Sequence, residues 1–375
     1  MTVERFVIDI GYTDWDDLRE RIRRTRWPDP APGEPWSQGV DLAYLQGLMG
    51  YWADGFDWPR QQAWLNGYEH RHVDLADVRL HVVSAADGRG RGHLPLLLTH
   101  GWPSTFVELL PLLDRLCDSY EVVVVSPPGY PFSSRPASVG VDRAYVAEAY
   151  NRLMAALGHR RYGVCGGDFG AGVATSMALS RPEAVVGIHL STAELAPYTG
   201  PGSPPLTDAE RDFCARVAEW DSTERGYSSV QSTRPQTLGY ALTDSPAGLA
   251  AWVLDKWRSW SDSGGDLDAT FGRDVLLTML TLWWSSGSIT ASMRDYFDNR
   301  WYGSEPGPGE HVSVPTAFAL CGHELVPEAV PPRSWYERLY DVRRWTVGSR
   351  GGHFAAAEQP DWLAQDIAAF FESLA

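Results

Sequence analysis

Cysteine is scarce in this chain of 375 residues. The four cysteines, Cys117, Cys165, Cys214 and Cys321, lie far apart and form no CxxC pair. Structural zinc sites and disulfide frameworks need closely paired or regularly spaced cysteines, so the sequence indicates neither. We expect reduced, buried thiols, as in a cytoplasmic protein, and no metal or organic cofactor.

Long apolar runs are also missing. No stretch approaches the ~20 consecutive apolar residues that a membrane-spanning helix needs. The first residues, MTVERFVIDIGY, lack the basic start and apolar centre of a secretory signal peptide. These absences predict a soluble protein of the cytoplasm without a membrane anchor.

Positive charge is in deficit, because 32 Lys and Arg residues face 48 Asp and Glu residues, which gives a net charge of −16. Such a field repels nucleic-acid backbones and anionic membranes, so neither is an expected partner. The one basic run, residues 19–26, accompanies Trp15, Leu18 and Ile22 at helical spacing. We interpret its arginines as the solvent-facing side of a helix.

The sequence does contain a long alternation of apolar strands and helical stretches. Strands are predicted at residues 78–85, 94–100, 120–128, 161–168, 184–191, 315–322 and 343–349. Helices are predicted at residues 105–117, 142–157, 171–179, 333–341 and 361–374. This order predicts an α/β fold around a mostly parallel sheet, because parallel strands are joined by helical crossovers.

Segments rich in proline and glycine divide the chain further. We predict an N-terminal helical arm (1–70), a first part of the α/β core (71–195), an α-helical cap (196–310) and a second part of the core (311–375). A helical insertion in an open parallel sheet is well placed to cover the crevice at the strand ends.

Residues 165–172, CGGDFGAG, place Asp168 between a strand and a helix, with Gly166 and Gly170 two positions to either side. A sharp strand-to-helix turn leaves no space for side chains at those flanks and exposes the central residue. Serine is the usual nucleophile in such a turn. An aspartate is already ionised and can attack a saturated carbon to form an alkyl ester. The alternative is an aspartate that only caps the next helix.

The loop after the strand at 94–100 begins with HGWP. A loop in this position can present the backbone N–H of Trp102 to the turn that holds Asp168. The N–H of Phe169, directly after the predicted nucleophile, would be the second donor. Two such donors form an oxyanion hole.

His353 follows the last predicted strand on a glycine-rich loop. A general base belongs there when the chain order is nucleophile, acid, histidine. Glu324 lies just beyond the strand at 315–322 and is the favoured acid partner of His353. Glu328 and Glu194 are the competing acids.

Several segments resemble the microsomal-type epoxide hydrolases, and the resemblance covers nearly the whole chain. The matching segments are YWADGFDWPRQQAWLNGYEH (51–70), HGWPSTFVELLPLL (100–113), PPGYPFSS (127–134), GGDFGAG (166–172) and ALTDSPAGLAAWVLDKW (241–257). The last segment lies in the predicted cap and is not a general feature of α/β-hydrolases. The resemblance implies the α/β-hydrolase fold, with a mostly parallel sheet, flanking helices, an inserted cap and the family's N-terminal segment.

The resemblance also implies two cap tyrosines whose hydroxyls bind the epoxide oxygen. By motif position these are Tyr227 and Tyr296, with Tyr240 and Tyr302 as the alternatives. The chain departs from the family in having Phe169 where many members have tryptophan, although the backbone N–H is retained. It also lacks the apolar N-terminal anchor of membrane-bound members.

The predicted reaction opens an epoxide to a vicinal diol through an ester on Asp168, which water activated by His353 then hydrolyses. A haloalkane dehalogenase would share both residues but needs side-chain N–H donors for halide. Phe169 supplies none, although Trp102 has an indole N–H, and the paired tyrosines favour an epoxide. A non-catalytic ligand-binding relative would be expected to lack one of the reacting residues.

The tryptophan content bears on the substrate. Residues 206–302 hold seven tryptophans: Trp220, Trp252, Trp257, Trp260, Trp283, Trp284 and Trp301. If several face the crevice, the substrate is an apolar or aromatic epoxide; otherwise they form the core of the cap. Roles in detoxification and in secondary metabolism both fit the family, and the composition permits a homodimer.

Overall fold

A computed structural model describes residues 1–192, 194–323 and 330–374. In this part of the chain, nine strands form one sheet in the order β1-β2-β3-β5-β4-β6-β7-β8-β9. The strands are β1 (Thr2–Phe6), β2 (Glu69–Asp74), β3 (Arg79–Ser84), β4 (Pro95–Thr99), β5 (Glu121–Val125), β6 (Tyr162–Gly166), β7 (Val185–Leu190), β8 (Val312–His323) and β9 (Tyr340–Gly352). All pairs from β5 to β9 are parallel, and the three pairs at the β1 edge are antiparallel.

Helices cover both faces and one end of this sheet. The N-terminal helices are α1 (Tyr12–Arg23), α2 (Leu42–Asp54) and α3 (Trp58–Leu65). The core helices are α4 (Leu110–Leu116), α5 (Arg143–Ala156), α6 (Phe169–Ser180), α14 (Arg333–Glu337), α15 (Ala355–Glu358) and α16 (Pro360–Glu372). The cap helices are α7 (Asp208–Glu224), α8 (Gly226–Gln231), α9 (Pro235–Asp244), α10 (Pro246–Ser259), α11 (Leu267–Phe271), α12 (Arg273–Ser286) and α13 (Ile289–Trp301).

The central strands explain why the functional loops meet. The apolar strand β4 lies between β5 and β6 and is buried on both faces, as expected for a parallel strand between crossover helices. In the β4/β6 register, Thr99 pairs with Gly166, so both strands end at the same edge of the sheet. The loop after β4 and the turn after β6 therefore leave the sheet side by side.

The predicted α/β fold with a mostly parallel sheet is confirmed, but four local predictions were wrong. The prediction of a helical N-terminal segment omitted β1, whose residues are largely exposed at the sheet edge and therefore carry no clear apolar alternation. The strand β2 was also not predicted. The predicted helix at 105–117 begins with a 3₁₀ turn, Phe106–Leu109. The predicted helix at 333–341 ends at Glu337, because β9 starts at Tyr340.

Two smaller expectations are confirmed in the described residues. Helix α1 buries Trp15, Leu18 and Ile22, and its arginines lie on the solvent side. Three of the four cysteines, Cys117, Cys165 and Cys321, are buried. None of the described helices combines the length and the apolarity that crossing a bilayer requires.

The most deeply buried cap tryptophans pack where the cap meets the α/β core, since Trp283 also donates to the Pro103 carbonyl at 3.2 Å. Trp257 and Trp283 are fully buried, and Trp257 stacks on Phe354 with ring centroids 3.8 Å apart. Trp301 is more than half exposed. The high tryptophan content of the cap therefore reflects packing more than the lining of a pocket.

A chain of histidines joins the antiparallel edge of the sheet to its centre. His70 Nε2 lies 2.8 Å from the Leu65 carbonyl oxygen, and His70 Nδ1 lies 2.9 Å from His81 Nε2. His81 Nδ1 lies 3.0 Å from the Ser126 hydroxyl. Because a carbonyl only accepts, the neutral pair is satisfied when His70 Nε2 and His81 Nε2 carry the protons and Ser126 donates. Burial lowers the pKa of both histidines, that of His81 most strongly.

We predict that this histidine pair makes the fold sensitive to acid. The folded-state pKa values are lowered, so below the unfolded pKa of about 6.5 the unfolded chain binds protons that the folded chain excludes. Stability is therefore fully present above about pH 6.5 and falls as the pH decreases below it. Melting temperatures at pH 7.5 and pH 5.5 measure the effect.

The variant His81→Asn should be less stable at pH 7.5 but lose less stability between pH 7.5 and pH 5.5. His311 is exposed, so His311→Asn should behave like the wild type. Equal slopes of melting temperature against pH in wild type and His81→Asn would contradict the assignment.

Candidate active site

Asp168 occupies the sharp turn between β6 and α6 with φ 51° and ψ −134°. This region is costly for a residue other than glycine and is found where the surrounding structure enforces it. A Cβ atom at Gly166 would lie 2.4 Å from the Gly170 carbonyl oxygen. A Cβ atom at Gly170 would lie 2.5 Å from the Thr99 carbonyl oxygen. The flanking glycines thus allow a turn that lifts Asp168 above the strand ends.

The Asp168 carboxylate is held from two sides. The Trp102 N–H donates to Oδ1 at 3.0 Å, and Oδ2 lies 3.3 Å from Nε2 of His353. The Asp168 N–H donates to the Thr192 hydroxyl at 2.6 Å, which anchors the turn to the end of β7. A Cβ atom at Gly101 would lie only 1.9 Å from Oδ1, so glycine is needed for this approach.

The second expected donor of the oxyanion hole is in the same turn. Phe169 is the first residue of α6, and the first N–H groups of a helix have no acceptor within the helix. Its N–H therefore belongs to the positive end of the α6 dipole, next to the Asp168 carboxylate.

His353 lies between β9 and α15, and its side chain is 4% exposed. Its backbone N–H donates to the Trp260 carbonyl at 2.8 Å, and the Trp260 ring lies edge-on to the imidazole at 5.2 Å. Trp260 directly follows cap helix α10. The histidine loop is therefore attached to the cap as well as to the sheet.

The predicted acids are placed differently. Glu324 and Glu328 lie outside the described residues. Glu194 lies in the loop after β7 and lines cavities together with Asp168. Burial, reinforced by the negative charge of Asp168, raises the pKa of Glu194 to about 7.

Tyr227 and Tyr296 extend from cap helices α8 and α13 toward the loop after β4. The Tyr227 ring stacks on Trp102 with centroids 5.5 Å apart, and Tyr296 meets Trp102 edge-on at 6.0 Å. The two tyrosine rings are 5.8 Å apart. Burial raises the pKa of each hydroxyl well above its usual value, and the Asp168 charge raises it further.

The alternative tyrosines are not in this group. Tyr240 is 71% exposed and Tyr302 is 51% exposed. The flanking sequence therefore identified the two tyrosines that lie near Asp168.

Two adjoining cavities open on Asp168. One, of about 380 Å³, is bounded by Tyr227, Tyr296 and mostly polar side chains of α8 and α13. The other, of about 600 Å³, is bounded by α7, α14 and the end of β8, and includes Trp220 and Trp335. A third space of about 30 Å³, on the other side of Asp168, is lined by His353 and Glu108.

Comparisons with known proteins agree with this arrangement. The sequence model of the epoxide hydrolase N terminus matches residues 3–109, and that of the α/β-hydrolase fold matches residues 95–261. Epoxide hydrolase 1 of Sus scrofa is 32% identical, over 98% of this chain and 88% of its own. Juvenile hormone epoxide hydrolase of Bombyx mori is 33% identical, over 98% and 86%. The chain belongs to the epoxide hydrolase family.

Solved structures of epoxide hydrolases share the whole architecture. The crystal structure of the Bombyx mori juvenile hormone epoxide hydrolase superposes with a TM-score of 0.85 at 29% identity, covering all of this chain and 94% of that one. The Aspergillus niger epoxide hydrolase superposes with a TM-score of 0.84 at 27% identity, covering 100% and 97%. The predicted family, the α/β-hydrolase fold and the assignment as a hydrolase are confirmed.

Sequence reasoning missed Glu358, which holds the histidine loop of this epoxide hydrolase. Its Oε2 accepts from the N–H groups of Asp262 at 2.7 Å and Gly352 at 3.0 Å, and its Oε1 accepts from Phe354 at 3.1 Å. These hydrogen bonds lower the pKa of Glu358, but burial has the larger effect and raises it to about 7. The available signal was a lone acidic residue at the end of the alanine-rich segment after His353.

We predict that Glu358→Gln loosens the histidine loop. An amide offers one acceptor atom in place of two, so at least one buried N–H loses its partner, which costs about 1–3 kcal/mol of unfolding free energy. A misplaced His353 should lower kcat for an epoxide by roughly 10- to 100-fold and leave KM nearly unchanged.

Chemical denaturation and steady-state kinetics measure the two effects of Glu358→Gln. The matched control is Glu337→Gln, because Glu337 pairs with Arg333 at the surface and each is about half exposed. Unchanged kcat in Glu358→Gln, at reduced stability, would show that Glu358 does not position His353.

Proposed function

We propose that the protein hydrolyses an epoxide to a vicinal diol through a covalent hydroxyalkyl ester on Asp168. The observation that carries the proposal is that the two carboxylate oxygens of Asp168 have different partners. Oδ1 accepts the Trp102 N–H, and Oδ2 lies 3.3 Å from His353 Nε2. This supports Oδ2 as the attacking atom and Oδ1 as the later ester carbonyl oxygen, already next to an oxyanion donor.

The first step forms the ester. A lone pair of Asp168 Oδ2 attacks an epoxide carbon, the carbon–oxygen bond breaks, and its electrons pass to the epoxide oxygen. Tyr227 and Tyr296 donate hydrogen bonds to that oxygen, and one of them transfers its proton. Burial raises the pKa of both hydroxyls, so they stay protonated and able to donate hydrogen bonds at neutral and moderately alkaline pH.

The second step hydrolyses the ester. His353 takes a proton from water, and the hydroxide adds to Cγ of Asp168 while the N–H groups of Trp102 and Phe169 stabilise the oxyanion. Collapse breaks the ester bond and releases the diol, whose leaving oxygen takes the proton from His353. The second proton of the water passes from the Asp168 carboxyl group to the tyrosinate formed in the first step, which restores the carboxylate and the tyrosine hydroxyl. The space of about 30 Å³ lined by Asp168, His353 and Glu108 has room for about one water molecule.

Glu324 is proposed as the acid that orients His353. His323 pairs with Gly352 in the β8/β9 register, and these two residues directly precede Glu324 and His353 in the chain. This register supports Glu324 over Glu194, which follows β7. The substrate is proposed to be a small-molecule epoxide.

The covalent ester is tested by trapping it. His353→Ala removes the base of the second step, so incubation with styrene oxide should add the mass of one intact epoxide, and peptide mapping should locate it on Asp168. Asp168→Ala should gain no mass. A folded His353→Ala protein that forms no adduct with epoxides of several sizes, or forms it elsewhere, would refute the mechanism.

The tyrosine roles are tested by removing one hydroxyl at a time. Tyr227→Phe and Tyr296→Phe should each slow ester formation by roughly 10- to 100-fold, and the double variant should be slower still. Rapid-mixing measurements of the ester-forming step detect this, and Tyr240→Phe should match the wild type because Tyr240 is exposed.

The raised pKa values predict that ester formation in the wild type does not slow as the pH rises from 8 to 10. Ester formation that is unaffected in both single variants, or that declines near the usual pKa of tyrosine, about 10, would contradict the assignment.

A further inference from the structure

Two buried polar groups in the cavity of about 380 Å³ have no part in the proposed mechanism. Asp295 precedes Tyr296 on α13 and is 5% exposed, and Tyr130, in the loop after β5, is fully buried. Both line this cavity together with Asp168 and Tyr296. Within the described residues, neither Asp295 Oδ2 nor the Tyr130 hydroxyl makes a hydrogen bond of acceptable geometry. The two side chains lie near enough to interact with each other, so they form one polar pair at the cavity wall.

Leaving such groups without partners is costly. A buried polar atom that loses its water without gaining a hydrogen bond costs about 1–3 kcal/mol, and most buried polar atoms are satisfied. The next carboxylate on α13 follows this rule, since Asp298 accepts the Gly140 N–H at 3.0 Å. Asp295 and Tyr130 instead line the cavity of about 380 Å³, which is large enough for a ligand that could bond to Asp295 Oδ2 and the Tyr130 hydroxyl.

The two cavities beside Asp168 differ in chemistry. The cavity of about 380 Å³ is lined by polar and charged side chains besides Asp295: Ser228, Ser229, Ser232, Asn299, Arg143, Glu194, Arg225 and Arg300. Arg143, Glu194 and Arg225 also border the adjoining cavity. The adjoining cavity of about 600 Å³ is lined on one side by apolar residues of α7 and α14: Phe213, Val217, Trp220 and Trp335. An epoxide held at Asp168 can therefore extend one substituent into a polar space and the other into an apolar space.

We propose that Asp295 and Tyr130 form a binding subsite for a hydroxyl group of the substrate, and that the preferred substrate is an amphipathic epoxide. Such a substrate carries an apolar group on one side of the epoxide and a hydroxyl-bearing chain on the other. The inference rests on the proposed epoxide hydrolysis and specifies its substrate class.

A hydroxyl fits the subsite better than a charged group. It donates and accepts at once, so it satisfies both a carboxyl oxygen and a phenol. Burial raises the pKa of Asp295 and of Tyr130 well above their usual values, which favours the neutral form of each side chain.

The experiment compares epoxides that differ only in one hydroxyl. Glycidol, 3,4-epoxybutan-1-ol and 5,6-epoxyhexan-1-ol are each paired with the 1,2-epoxyalkane of equal chain length. In the wild type, kcat/KM should favour the hydroxylated member by roughly 3- to 10-fold for each hydrogen bond gained, at the chain length that reaches the subsite. Tyr130→Phe should reduce this preference, and Asp295→Leu should abolish it.

The controls separate a subsite from a structural role. Asp298→Ala removes a buried carboxylate of the same helix that accepts a structural hydrogen bond, so it should lower the melting temperature and keep the hydroxyl preference. Asp295→Leu should lower the melting temperature less than Asp298→Ala, because Asp295 Oδ2 makes no hydrogen bond of acceptable geometry. Turnover of the plain 1,2-epoxyalkanes should persist in Asp298→Ala.

The hydroxyl subsite and the epoxide hydrolysis fail in different ways in this experiment. If the wild type turns over plain and hydroxylated epoxides equally at every chain length, or if Asp295→Leu keeps the preference, the subsite is refuted and epoxide hydrolysis stands. A stronger preference for 6-amino-1,2-epoxyhexane than for the alcohol would also refute it, in favour of an ionised Asp295. If no epoxide is turned over, both proposals fail.

Discussion

The pairing of β4 with β6 is the constraint on which the rest of the site depends. Thr99 stands opposite Gly166, so the two strands end together. Because Gly170 has no side chain, it can lie close to the Thr99 carbonyl, and the turn after β6 can be tight. That turn holds Asp168 at a positive φ, within reach of the Trp102 N–H. The backbone pairing of β4 with β6 thereby places the Asp168 turn next to the loop that supplies the Trp102 N–H.

The cap adds what the sheet cannot supply. The loops at the carboxyl ends of the parallel strands bring together Asp168, His353 and the Trp102 N–H. Proton donors facing this group have to come from the opposite side, and Tyr227 and Tyr296 occupy that position on α8 and α13. The stacking of Tyr227 on Trp102 links the two halves, because the residue that supplies the oxyanion donor also supports a tyrosine of the cap.

The sequence predicted the core of this arrangement because local rules govern it. The glycine spacing around Asp168 and the position of His353 after the last strand follow from turn sterics and chain order. The edge strand β1 was missed because its exposed residues lack alternation. Glu358 and Asp295 could not be found in the same way, because their significance lies in contacts with backbone groups and cavities formed by distant segments.

The attachment of the histidine loop to the segment after α10 has a consequence for how the protein can change. The N–H of His353 bonds to the Trp260 carbonyl, and Glu358 bridges the N–H groups of Asp262 and Gly352. His353 is thus fixed partly to the insertion that also carries Tyr227 and Tyr296. The insertion is therefore not an exchangeable module: a recombination that imports a foreign one must also import the 260–262 turn, or His353 loses its alignment with Asp168.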